Sequence, residues 1–156
     1  MPDSVVVYVT RTGNAQRIAQ DVAARMHAEA HRIDDKVNRN GFWGFMRAGF
    51  QASTKKATPI GDPGIDLSGI QTVVMVQPIW ASGITPPLRT WLQKHAPELK
   101  GKKLGLITVC KGSDPAPVKA AFEQEFMPLT AFGGLKEKDD EATRSSVYDS
   151  LIRSLS

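Results

Sequence analysis

The chain has 156 residues, 41% of them hydrophobic and 23% charged. It is therefore long enough to bury a core and is too apolar to be a disordered chain. Its net charge is +4, with one cysteine. The cysteine count rules out an intrachain disulfide, and the basic residues, scattered from Arg11 to Arg153, come with no nucleic-acid motif, so no nucleic-acid partner is expected.

No apolar run reaches membrane-spanning length, and the N-terminus enters a strand pattern without a basic-then-apolar leader. One domain over residues 1–156, in the cytoplasm, is the expectation.

In chain order, Val5 to Val9 reads as a buried strand, five apolar or aromatic residues rich in β-branched valine. A polar loop with one glycine follows. Ala15, Ile18, Ala19, Val22, Ala23 and Met26 then recur at helical spacing. Ala30 to Ile33 reads as a short edge strand, where polar residues are tolerated. Between Gly41 and Lys56, Phe42, Met46 and Phe50 recur every four residues beside Trp43, which predicts a helix with an aromatic face. Thr72 to Val76 is a nearly unbroken apolar run, the mark of a central parallel strand covered on both faces. Pro86 and Pro87 suit a first helical turn, which Leu88, Trp91 and Leu92 continue to about Lys94. Pro97 to Lys103 reads as a connector and Leu104 to Val109 as the next buried strand. A helix with Val118, Ala121, Phe122 and Phe126 on one face follows. A last strand is expected around Leu129 to Phe132, ending at Gly133 and Gly134. A closing helix is expected over 139–155, with Val147, Leu151 and Leu155 spaced by four.

Alternating strands and helices imply a parallel sheet with helices on both faces. In such folds ligands sit beyond the C-terminal strand ends. Three polar loops fall there: Thr10 to Ala15, Pro78 to Gly83, and Cys110 to Asp114. The first leads from strand into helix, where unpartnered N–H groups and the helix dipole attract an anion. It lacks the spacing of a P-loop or of a dinucleotide-binding glycine motif. Two readings of it stay open: an anion loop, or an ordinary turn with Thr12 as helix cap.

Thr10, Thr12, Gly13 and Asn14 resemble the T-x-T-G-N-T loop of flavodoxins, which wraps the FMN phosphate; Ala15 stands where the last threonine belongs. Pro78-Ile79-Trp80 resembles the middle flavodoxin loop, often P-T-W, whose aromatic ring stacks on the isoalloxazine. The resemblance implies a flavodoxin-like doubly wound five-stranded parallel sheet of order 2-1-3-4-5. It implies FMN held by Thr10, Arg11, Thr12, Gly13, Asn14 and Ala15, by Pro78, Ile79, Trp80, Ala81, Ser82 and Gly83, and by Cys110, Lys111, Gly112 and Ser113. The third loop carries no second aromatic, so one ring face would be open or covered by the 41–50 region. Ala81 replaces a glycine that in several flavodoxins allows a peptide flip toward flavin N5. With Lys111 near N1, that favours two-electron reduction over a stable one-electron form. Cys110 reads as a small packed hydrophobe, with a thiolate role as the sharper alternative.

The function so implied is electron transfer with a redox partner (a protein, NAD(P)H or a quinone), as a carrier or as a small NAD(P)H:quinone-type oxidoreductase. Flavodoxins that shuttle single electrons are typically acidic, and this basic chain departs from that. A phosphatase would need C-x5-R, but Ala116 stands at that offset from Cys110; a response regulator would need acids where Thr10 and Gln77 stand. The alternative is a cofactor-free interaction module using the aromatic 42–50 segment. Left exposed, that segment would suit a partner protein, a homodimer, a quinone or peripheral membrane contact; packed inward, it is core.

Overall fold

The computed structural model describes residues 3–35, 60–80 and 83–156. The aromatic helix expected within 41–56 lies outside them, as do Ala81 and Ser82.

Five strands form one parallel sheet: β1 (Ser4–Tyr8), β2 (Glu29–Arg32), β5 (Thr72–Pro78), β6 (Lys103–Cys110) and β7 (Ala131–Lys136). Their order is β2-β1-β5-β6-β7, which is the expected 2-1-3-4-5 once two short strands are set aside. Those two, β3 (Asp34–Asp35) and β4 (Ile60–Gly61), pair antiparallel in a separate two-stranded sheet and were not anticipated. Among the described residues four helices flank the sheet: α1 (Asn14–Met26), α2 (Pro86–Leu99), α3 (Ala116–Glu125) and, after the last strand, α4 (Glu141–Leu155). Among the described residues no helix is long and apolar enough to cross a membrane.

Strand side chains alternate between faces, so each central strand feeds two cores. Val6, Tyr8, Val74, Val76, Ile107 and Val109 meet α1 and α4 on one face. Val5, Val7, Val73, Met75, Leu104 and Leu106 meet α2 and α3 on the other. The near-continuous apolar runs in the sequence are what this double coverage requires.

Three boundaries differ from the sequence reading. Helix α2 runs through Pro97 to Leu99 rather than giving way to a connector. The proline removes one hydrogen bond in the last turn, but Leu99 is fully buried, and that packing holds the turn closed. Strand β7 begins later than expected and runs through Gly133 and Gly134. A Cβ on Gly133 would lie 2.7 Å from Val147 Cγ1, and one on Gly134 would lie 2.7 Å from Pro115 Cγ. The glycines are therefore where neighbours press on the strand, not where it ends. Helix α4 starts at Glu141, capped by Asp140, whose carboxylate accepts from the Thr143 N–H at 2.8 Å.

Candidate cofactor site

The chain leaves β1 through α1 on one face of the sheet and leaves β5 through α2 on the other. Adjacent strands β1 and β5 thus have crossovers in opposite senses, which opens a crevice beyond their C-terminal ends. Register pairs Tyr8 with Val76 and Pro78 with Val109. The loops after β1, β5 and β6 therefore leave neighbouring strands at the same edge, as the three-loop reading requires.

In the first loop Gly13 adopts φ 97° and stands as the N-cap of α1, so the cap is not Thr12. No side chain caps the helix. The two hydroxyls are engaged elsewhere: Thr10 Oγ1 accepts from the Gly13 N–H at 3.0 Å, and Thr12 Oγ1 accepts from Asn14 Nδ2 at 3.2 Å. Each hydroxyl is used as an acceptor within the loop, which leaves its own proton to donate outward. Thr12 and Gly13 are exposed, while Arg11 and Asn14 are half-buried. Ala15 is buried in the core, so this position offers a backbone N–H and no more. Uncapped helical N–H groups, donor hydroxyls and a nearby guanidinium suit a multiply charged anion such as a phosphate monoester.

In the second loop Ile79 extends the ladder, its N–H donating to Val109 O at 3.0 Å. Trp80 is half-buried at the rim of the α2–α3 core, not turned into the interior. It forms an isolated bridge with Gly83. Pro78, Ile79 and Gly83 are likewise half-buried. A large ring lodged at a rim, with one side supported by core, can serve as a stacking platform.

In the third loop Lys111, Gly112, Ser113 and Asp114 are exposed, while Cys110 is buried and donates its thiol to Ser113 O at 3.2 Å. Its burial is what the packed-hydrophobe reading of Cys110 expects. Asp114 accepts from the Ala116 N–H at 2.9 Å, an Asx turn just ahead of α3, whose N-cap is Pro115.

Gln77 was missed as a site-shaping residue. It is completely buried, and both ends of its amide bond the backbone of the second loop. The available signal was a polar residue closing the apolar run Val73 to Val76, at a position where its side chain must face a core.

The chain matches no protein-family model and no curated protein sequence. Its fold does match solved structures over nearly its whole length. A candidate flavoprotein from Bacteroides eggerthii superposes with a TM-score of 0.75 at 18% identity, covering 97% of this chain and 99% of that one. A flavoprotein in complex with FMN from Lactobacillus acidophilus gives 0.73 at 12% identity, covering 93% and 99%. A flavodoxin from the domain Archaea gives 0.64 at 10% identity, covering 97% and 95%. The architecture is thus flavodoxin-like, and these structural neighbours are flavoproteins and flavodoxins.

Proposed function

We propose that this chain binds FMN and transfers electrons, either as a carrier or as a small reductase that takes them from NAD(P)H and passes them to a quinone. The observation that carries this reading is the uncapped first turn of α1, with its donor hydroxyls, one strand away from a half-buried tryptophan. Neither feature is the most stabilising choice for the fold: a side-chain cap and a fully buried ring would each contribute more. One structural neighbour is a complex with FMN, which supports the reading.

In this reading the backbone of Asn14, Ala15 and Gln16 and the hydroxyls of Thr10 and Thr12 hold the phosphate. Gly13 keeps that turn open. Trp80 supports one face of the isoalloxazine, and the N–H groups of Gly112 and Ser113 meet its pyrimidine edge. Lys111 favours negative charge on the ring by Coulomb attraction. The flavin, when bound, supplies the redox chemistry, and the protein sets its binding and electronics. With no aromatic in the third loop, a flat donor or acceptor has a ring face to approach.

The test is titration of the apoprotein with FMN and with riboflavin, followed by flavin fluorescence. FMN should bind, and riboflavin should bind at least about 100-fold more weakly, since two charge-assisted hydrogen bonds contribute about 3 kcal/mol or more. Trp80→Ala should weaken FMN by about 1–2 kcal/mol. Absence of FMN binding would overturn the reading and favour an interaction module. NAD(P)H oxidation by the loaded protein with a quinone separates a reductase from a carrier.

A further inference from the structure

Gln77 is the last residue of β5 to face the α2–α3 core, and none of it reaches solvent. A buried amide is tolerated only when its polar atoms are partnered. Here Oε1 accepts from the Thr85 N–H at 2.8 Å and Nε2 donates to Gly83 O at 3.2 Å. The partners fix the assignment of the amide, because an N–H must face the oxygen and a carbonyl must face the nitrogen. Both partners are main-chain groups of the loop that leaves β5 itself. The side chain therefore folds the loop back onto its own root.

Ile84 packs that end of the loop into the core, and among the described residues the side-chain hydrogen bonds to Gly83 and Thr85 come from Gln77. Thr85 is the N-cap of α2, yet its side chain makes no capping bond, and its buried Oγ1 has no hydrogen-bond partner among the described residues. The next two residues, Pro86 and Pro87, have no N–H to offer. Thr85 O accepts from the Arg89 N–H at 2.9 Å, so the register of α2 follows from where Thr85 sits. Trp80 lies within the span that Gln77 closes and bridges to Gly83, one of its two anchors.

We propose that Gln77 is a positioning residue: it sets the placement of Trp80 at the crevice and so governs cofactor affinity without touching the cofactor. The affinity half of this claim rests on the FMN reading; the placement half does not.

The experiment compares wild type with Q77M, which keeps length and removes both hydrogen bonds, and with Q77E, which keeps the acceptor for Thr85 and loses the donor to Gly83. Amide exchange and the Trp80 indole resonance are followed by NMR in the apoprotein, and FMN affinity by fluorescence. In Q77M the Thr85 amide should exchange at least tenfold faster, the Trp80 indole resonance should shift, and FMN affinity should fall at least tenfold. In the same variant, exchange in β1 and β6 should stay as in wild type. In Q77E the Thr85 amide should stay protected while Gly83 loosens, with a smaller loss of affinity. If Q77M fails to fold, Q77E decides alone through that split between Thr85 and Gly83. Wild-type exchange and an unmoved indole in the variants would overturn the proposal, as would a moved indole with unchanged FMN affinity. If wild type binds no FMN, the cofactor reading falls, while exchange and the indole resonance still decide the positioning claim.

Discussion

Arg89 of α2 is 1% exposed and forks onto Glu125 at the end of α3, with Nε 2.9 Å from Oε1 and Nη2 3.3 Å from Oε2. Its third nitrogen, Nη1, is buried with no hydrogen-bond partner among the described residues. A guanidinium this dry is costly, and the carboxylate offsets the cost only while it remains in place. Glu125→Ala should therefore destabilise the protein by about 2–4 kcal/mol, below the full range for a buried pair because Glu125 still touches water. Replacing both partners by apolar residues, as in Arg89→Met with Glu125→Leu, should recover most of that loss. Urea unfolding of the three proteins checks both statements. The loss should persist at high salt, since screening ions do not reach Arg89.

The glycine pair of β7 makes a steric claim. A Cβ at Gly134 would stand 2.7 and 3.1 Å from the Pro115 ring, and one at Gly133 would stand 2.7 Å from Val147 Cγ1. A proline ring yields less than a valine, so Gly134→Ala should cost more than Gly133→Ala, each within about 1–3 kcal/mol. Val147→Ala should reduce the cost of Gly133→Ala, a coupling a double-mutant cycle can read. Gly69→Ala, where nothing lies within 4 Å, should change stability by no more than about 0.5 kcal/mol.

Asp62 supplies a pH dependence. Burial raises its pKa, but the Gly64 N–H, then His95 and Lys94, outweigh that and hold it at about 2, against an ordinary 3.8. His95 Nε2 donates at 2.8 Å and Lys94 Nζ lies at 2.9 Å, both on Oδ2, tying the loop after β4 to α2. The folded value lies below the unfolded one, so the stabilisation is complete above about pH 4 and is lost as pH falls toward 2. It amounts to at most about 2 kcal/mol, and less where solvent screens the pair. Asp62→Asn should remove that part of the acid limb, seen as a flatter dependence of unfolding free energy on pH below 4. Asp66, Glu123 and Asp140, also lowered, leave a residual slope.

What the sequence made legible was the part written in consecutive residues. β1, β5 and β6 show as apolar runs because both faces are covered, and α1 shows as a clean stripe because one face is. That the three loops share one end of the sheet followed from the parallel strands, and that they are neighbours followed from the flavodoxin resemblance. What stayed hidden depends on partners distant in the chain. Pro97 is held in helix by the burial of Leu99, and Gly133 sits in strand because Val147 crosses it. Arg89 finds its carboxylate 36 residues away. Gln77 looked like a strand-end polar residue until its bonds to Gly83 and Thr85 were visible. Strands β3 and β4 are two residues each, too short for any periodicity to announce.

Gly13 separates backbone strain from anion recognition. Its φ of 97° is disfavoured for a residue with a side chain, yet an added Cβ would meet nothing within 4 Å. The cost of Gly13→Ala is thus conformational, about 1–2 kcal/mol, and should lower Tm by about 2–8 °C. If the turn after β1 holds a phosphate, relaxation of this residue swings the Asn14 and Ala15 N–H groups away from their common focus. FMN affinity should then fall by about tenfold or more, while riboflavin affinity, which does not use those groups, should hardly change. Equal losses for the two ligands would mean that the turn shapes the crevice generally and does not read the phosphate.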